Sequence, residues 1–134
     1  MRFLLDTNVC IRYLRSPNSR VRRELATLPI ADVCLCSIVL TELIRGTLLS
    51  ANPTASRAGI DAFAAPYIVL PFDKAAANVH AQIRVHLERL GQVIGPYDLL
   101  IAAIALANNL TLVTHNTNEF SRVPGLVIED WEIP

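Results

Sequence analysis

Four acidic side chains, Asp6, Glu42, Asp98 and Glu119, lie in short motifs that interrupt or border apolar runs. In "FLLDTNVC" a strand-like run ends on Asp6 and continues into polar Thr7 and Asn8. "SIVLTELIRG" carries Glu42 at the border of a helical apolar face made by Ile38, Val39, Leu40, Leu43 and Ile44. "IGPYDLLIAAIALANN" puts Asp98 in the first turn of a helix that is apolar nearly all round. "LVTHNTNEF" adds two oxygen donors, Asn116 and Glu119, just past a strand end. Each acid has an ordinary explanation taken alone. Asp6 suits a helix cap, Glu42 an ion pair with Arg45 three residues on, and Asp98 the positive end of a helix dipole. Brought together, the same carboxylates repel unless a cation joins them. Hard oxygen ligands select Mg²⁺ or Mn²⁺ over zinc. Zinc is further disfavoured because there is no Cys-x-x-Cys and His80, His86 and His115 share no helical face. Gly91-Gln-Val-Ile-Gly95 does not match a Walker phosphate loop.

Something must carry these acids to one place, and the chain's alternation of elements supplies it. Strands are expected over Arg2–Leu5, Val33–Cys36, Tyr67–Leu70, Leu112–Thr114 and Leu126–Ile128. Helices fill the gaps: Asn8–Arg15, Asn18–Leu28, a helix capped by Ser37 running to Leu49, and Thr54–Ala64 behind the Asn52-Pro53 start. A long helix capped by Asp73 ends at Gly91, and Pro96 opens the last one, through Asn108. Strands separated by helices of this length predict an α/β fold with a parallel sheet covered on both faces. In such sheets ligands bind at the carboxyl ends of the strands, where Asp6 would stand.

Composition narrows the function classes. With 134 residues and no linker, repeat or low-complexity tract, a single domain over 1–134 is expected. Hydrophobic residues make up 52%, which excludes intrinsic disorder. The longest apolar run, Leu99–Ala107, is too short for a membrane span, and the N-terminus lacks a signal-peptide core. Three cysteines, with Cys34 and Cys36 on one strand face, suit reduced thiols in a cytoplasmic protein. Net charge is zero, yet Arg12, Arg15, Arg20, Arg22 and Arg23 crowd the first quarter of the chain. That cluster is either a solvated helix face or a rim for phosphates.

Four ordered motifs, "FLLDTNVCI", "CSIVLTELIRG", "IGPYDLLIAAIA" and "LVTHNTNEFSRVPGLVIEDW", resemble those of the PIN-domain ribonucleases, nearest to the VapC toxins of bacterial toxin–antitoxin pairs. The resemblance covers essentially the whole chain. It implies a three-layer sandwich around a five-stranded parallel sheet, and a Mg²⁺-dependent endoribonuclease. The family acids fall on Asp6, Glu42 and Asp98. Asn116 stands at the fourth position, often Asp, so that either Asn116 or Glu119 completes the site. Members of this type cut structured cellular RNA, commonly transfer RNA, and are silenced by a small antitoxin. A homodimer and a higher assembly with antitoxin are implied too. Under this reading Asp6, Asp98 and Glu42 hold the metal, and Glu42 orients or deprotonates a water. Thr7 and Asn116 steady the ligands or the scissile phosphate, and Arg12, Arg15 and Arg84 bind flanking phosphates. The rival is a catalytically silent PIN-like domain that binds RNA or protein. A phosphotransferase with an aspartyl nucleophile would want a second acid at position 8, which is Asn.

Overall fold

The computed structural model describes residues 1–134. Five short strands, β1 (Phe3–Leu5), β2 (Val33–Cys36), β3 (Ile68–Leu70), β4 (Thr111–Val113) and β5 (Ile128–Glu129), form one sheet in the order β3-β2-β1-β4-β5. Every pairing is parallel. Consecutive side chains of a strand point to opposite faces. All residues of β1 and β2 are nonetheless buried, so helices cover both faces of the sheet centre. This is the three-layer α/β arrangement implied by the sequence.

The helices are α1 (Thr7–Arg15), α2 (Arg20–Ala26), α3 (Ser37–Leu48), α4 (Pro53–Ala64), α5 (Lys74–Leu90), α6 (Pro96–Ala107) and α7 (Thr117–Phe120). Local chemistry sets their ends. Ser19 Oγ accepts from the Arg22 N–H, so α2 starts after Ser19, later than Asn18. Asn52 and Asp73 cap α4 and α5 through their side chains, as their types foretell. Ser37 does not cap α3: β2 runs straight into the helix, Cys36 takes the cap position, and Ser37 is already helical. The four-residue α7 was not foreseen; Phe120, fully buried, anchors it. Strand ends differ from expectation by one or two residues. At β5, for example, pairing begins only at Leu112↔Ile128.

Gly91 ends α5 in a left-handed conformation, φ 64°. The Gly91 N–H donates to the Glu88 carbonyl and the Gln92 N–H to that of Leu87, closing a Schellman turn. α6 is the deepest helix, with Ile101 through Ala105 fully buried, and it packs along α5. The core continues through Leu4, Leu5, Leu35, Leu112 and Val113. The three cysteines are buried and free, and burial lifts the Cys34 thiol to about 11. No helix is long and apolar enough to cross a membrane.

Two substitutions separate backbone from packing contributions. At Gly91 nothing lies within 4 Å of where a Cβ would stand, so the cost of Gly91→Ala is the left-handed conformation alone. It should lower unfolding stability by about 1–2 kcal/mol. Leu112→Ala, at a fully buried position of β4, should cost about 2–5 kcal/mol. Urea denaturation with unchanged m-values is the measurement; a larger loss at Gly91 would contradict the assignment.

Candidate active site

The chain runs outward from β1 to β2 and β3, then returns to the other side of β1 for β4. The crevice between the carboxyl ends of β1 and β4 is therefore the topological switch point, where open α/β sheets leave room for a ligand. Asp6 follows β1 directly and Thr114 follows β4. The Asp6 N–H donates to the Val113 carbonyl at 3.1 Å, joining the two strand ends. Asp6 is buried, and its Oδ1 accepts from the Val9 N–H at 2.9 Å. The capping role is thus real, and it uses only one carboxylate oxygen. Thr7, the first residue of α1, donates its hydroxyl to Glu42 Oε1 at 2.6 Å across 35 residues of sequence. Glu42 does not pair with Arg45; the α1 hydroxyl fixes it instead.

Asp98 stands at the third position of α6, where Gly95 replaces a side-chain cap. Its Oδ2 folds back to within 3.4 Å of the Cβ position at Gly95. From the far side comes α7, with Glu119 beside Asp98 and Asn116 Nδ2 donating to Glu119 Oε2 at 3.0 Å. The Asn116 N–H in turn donates to Thr114 Oγ1 at 3.0 Å. Asn116 and Glu119 are thus bonded to each other, and the fold places both at the cluster.

Like charges crowd this crevice. Burial, then the neighbouring Glu119 carboxylate, then Asp6 and Glu42, push the Asp98 carboxyl up to about 7. Asp6 is pushed up to about 6, chiefly by burial and further by Glu132 and Glu42, against the Thr114 hydroxyl and the Val9 N–H. No lysine or arginine forms an ion pair with Asp6, Glu42, Asp98 or Glu119. A cluster of oxygen donors with no internal cation, and with two carboxyls disfavoured as anions, fits a hard divalent ion.

Beside the acids opens a cavity of about 530 Å³ walled by Asn8, Arg12, Arg15, His115, Asn116 and Glu132. Arg15 makes no ion pair there, whereas Arg12 Nε meets Glu132 Oε1 at 3.3 Å. Arg84 is not brought to this cavity. It pairs with Glu88 on α5 at 3.2 Å and lines a separate hollow with Val93 and Pro96. Arg22 is structural: Nε donates to the Tyr13 carbonyl and the guanidinium lies over the Tyr13 ring. His115, Asp130 and Glu132 form a second group able to hold a metal, their ligand atoms within 4.8 Å. His115 Nδ1 is 2.9 Å from Asp130 Oδ2, and that contact raises the imidazole pKa. Sequence reasoning missed Thr114 and Glu132. Thr114 sat visibly at a strand end, but nothing in "EDWEIP" signals that position 132 folds back to the first strand.

Comparison with known proteins gives the family. The PIN domain pattern matches residues 3–126. The chain is 42% identical to the tRNA(fMet)-specific endonuclease VapC of Shigella flexneri over 98% of both chains. It is 35% identical to the toxin FitB of Neisseria gonorrhoeae, over 96% of this chain and 97% of that one. The crystal structure of DNA-bound VapBC from Salmonella typhimurium contains a chain that superposes with a TM-score of 0.93 at 40% identity, covering 98% of each. With its acids at the switch point and these relatives along its whole length, the chain belongs to the PIN-domain family, in its VapC branch.

Proposed function

We propose that this chain is the toxin of a toxin–antitoxin pair and cuts cellular RNA, with tRNA(fMet) the first substrate to try, because a relative 42% identical is named for it. The observation that carries the reading is the unneutralised acid cluster at the β1–β4 crevice beside a cavity bearing Arg12 and Arg15. Asp6, Asp98 and Glu42 would hold Mg²⁺, or Mn²⁺ in its place, with Asn116 or Glu119 completing the set. When bound, such an ion would supply Lewis-acid charge at the scissile phosphate. Glu42 is held through Oε1 by Thr7, which leaves Oε2 to orient the attacking water and take its proton. The water oxygen would bond to phosphorus as the P–O3′ bond breaks, and the departing 3′ oxyanion would take a proton from solvent to become the hydroxyl. Thr114 keeps Asp6 and the Asn116 turn together. Arg12 and Arg15 take the flanking phosphates, which position RNA without reading its sequence.

The silencing partner is a short antitoxin segment lying along α3. Leu48 and Leu49 are 70% and 69% exposed there. A cavity of about 350 Å³ between α1, α3 and α4 leads to Glu42. A basic side chain from the partner entering the acids would replace the metal's charge. A homodimer in the cytoplasm, assembled further with antitoxin, completes the proposal.

Fragments of a tRNA(fMet) transcript cut by purified protein in Mg²⁺ should carry 5′-phosphate and 3′-hydroxyl ends. Cyclic 2′,3′-phosphates would overturn the water-attack mechanism, and no cleavage at all would favour the silent binding domain. Asp98→Ala and Asp6→Ala should abolish cutting.

Metal and stability are linked through Asp98. The unfolded carboxyl titrates near 3.9 and the folded one at about 7, so between these values the native state holds the extra proton. Stability in chelator should therefore fall as pH rises from about 4 to 7 and level off above, Asp6 adding to the fall up to about 6. Asp98→Asn should flatten this slope. At pH 8 in chelator it should melt higher than the parent, since removing one like charge relieves on the order of 1 kcal/mol after screening. A lost helix-dipole interaction of about 0.3–1 kcal/mol offsets part of that gain. Millimolar Mg²⁺ should reverse the order, because it binds the folded parent more strongly. Thermal melts of both proteins with chelator and with Mg²⁺ decide it; an Asp98→Asn protein that is less stable in chelator and gains equally from Mg²⁺ would make Asp98 a helix-terminus acid only.

A further inference from the structure

The segment after β5 plays no part in the mechanism above, yet it is built into the rim of the site. Trp131 is buried, its ring edge-on to Phe3 with centroids 5.3 Å apart. Its indole N–H donates to Glu129 Oε1 at 3.1 Å. The Glu132 N–H donates to Asp130 Oδ1 at 2.9 Å, closing the turn that follows. These contacts deliver the Glu132 side chain, only 17% exposed, into the cavity beside the acids. There Oε1 lies 3.3 Å from Arg12 Nε and Oε2 lies 3.8 Å from His115 Nδ1. Two arginines three residues apart on α1 thus face one cavity in different states. Arg15 has no ion-pair partner, whereas Arg12 already has a carboxylate.

We propose that Glu132 is a built-in stand-in for an RNA phosphate: it occupies Arg12 in the free protein and is displaced when the phosphodiester chain enters. The idea rests on the RNA-cleaving reading and assigns a further residue to its substrate subsite. A carboxylate and a phosphate offer a guanidinium the same charge-assisted acceptor oxygens. The exchange is open on the side of Arg12, whose side chain is 55% exposed and so partly screened by solvent. Once released, the Glu132 carboxylate still has His115 within reach. Because the tail is pinned by Trp131, the carboxylate stays at the rim and keeps opposing any polyanion. Glu132 therefore sets a threshold: an RNA must gain enough elsewhere, at Arg15 and the metal, to take Arg12 from it. That discriminates against weakly fitting RNA without reading a base.

Binding of a fluorescein-labelled tRNA(fMet) transcript, measured by anisotropy in Mg²⁺ with the Asp98→Asn protein so that the RNA survives, tests this. Glu132→Gln keeps the shape and removes the charge, and should lower Kd by roughly three- to tenfold at about 0.1 M salt. Glu132→Asp, which keeps the charge on a shorter stem, should lower it less. With Arg12→Ala already present, Glu132→Gln should change Kd by less than about twofold, the coupling that a double-mutant cycle reads. Unchanged or weaker binding by Glu132→Gln would overturn the proposal and make Glu132 a support for Arg12. The same tightening with and without Arg12 would overturn it too, leaving only general repulsion of RNA. Cleavage of that transcript by the parent protein is scored separately. If the parent cuts and Glu132→Gln does not tighten binding, the displacement fails alone; if the parent cuts no RNA, the functional reading fails first.

Discussion

Mutual repulsion among Asp6, Glu42, Asp98 and Glu119 is the constraint on which the rest of this structure depends. The folded chain gathers them where β1 and β4 part and surrounds them with hydroxyls, amides and apolar walls, but no cation. Left to itself, such a cluster favours expansion or protonation, and the carboxyls of Asp6 and Asp98 are raised, first by burial and then by their acidic neighbours. The fold resists expansion by attaching each acid to an element that has another reason to be where it is. Asp6 is tied to a central strand and caps a helix. Asp98 rides on a helix that is fully buried from Ile101 through Ala105. Glu42 and Glu119 are each gripped by a neutral donor, Thr7 and Asn116. Packing thereby holds together the oxygen donors that, under the proposed function, would take a divalent ion.

Much of this was legible in the sequence, for identifiable reasons. Asp6 alone suited a helix cap, a role it does fill; it stood out only together with Glu42 and Asp98, at the strand end where α/β sheets bind ligands. Asp98 stood out because a helix as apolar as "LLIAAIALA" has to be buried. The strand and helix alternation gave the sheet, and side-chain caps at Asn52 and Asp73 gave two helix starts. Motif resemblance, not spacing, supplied the nuclease chemistry and the antitoxin.

What stayed illegible depended on contacts between distant segments. The Thr7–Glu42 bond spans 35 residues, so local pattern favoured Arg45 as the partner of Glu42. Arg84 looked like a phosphate contact because it is basic, but an i,i+4 glutamate holds it on α5. Glu132 was invisible because its position follows from Trp131 meeting Phe3 at the opposite end of the chain. Ser37 misled as a cap because strand and helix there share a boundary with no residue to spare.

That last junction has an evolutionary corollary. β1 reaches α1 through Asp6 alone, and β2 enters α3 with no connecting residue. One residue inserted at either junction would turn the following helix by about 100° relative to its strand and shift it about 1.5 Å along its axis. Thr7 would then swing away from Glu42, and the two anchors of the site would lose their common reference. Lineages of this protein therefore cannot change length at these two seams without moving the site. Divergence there must proceed by substitution alone, so alignments of descendants should stay gap-free across residues 5–8 and 36–42 even where the rest has drifted beyond easy recognition.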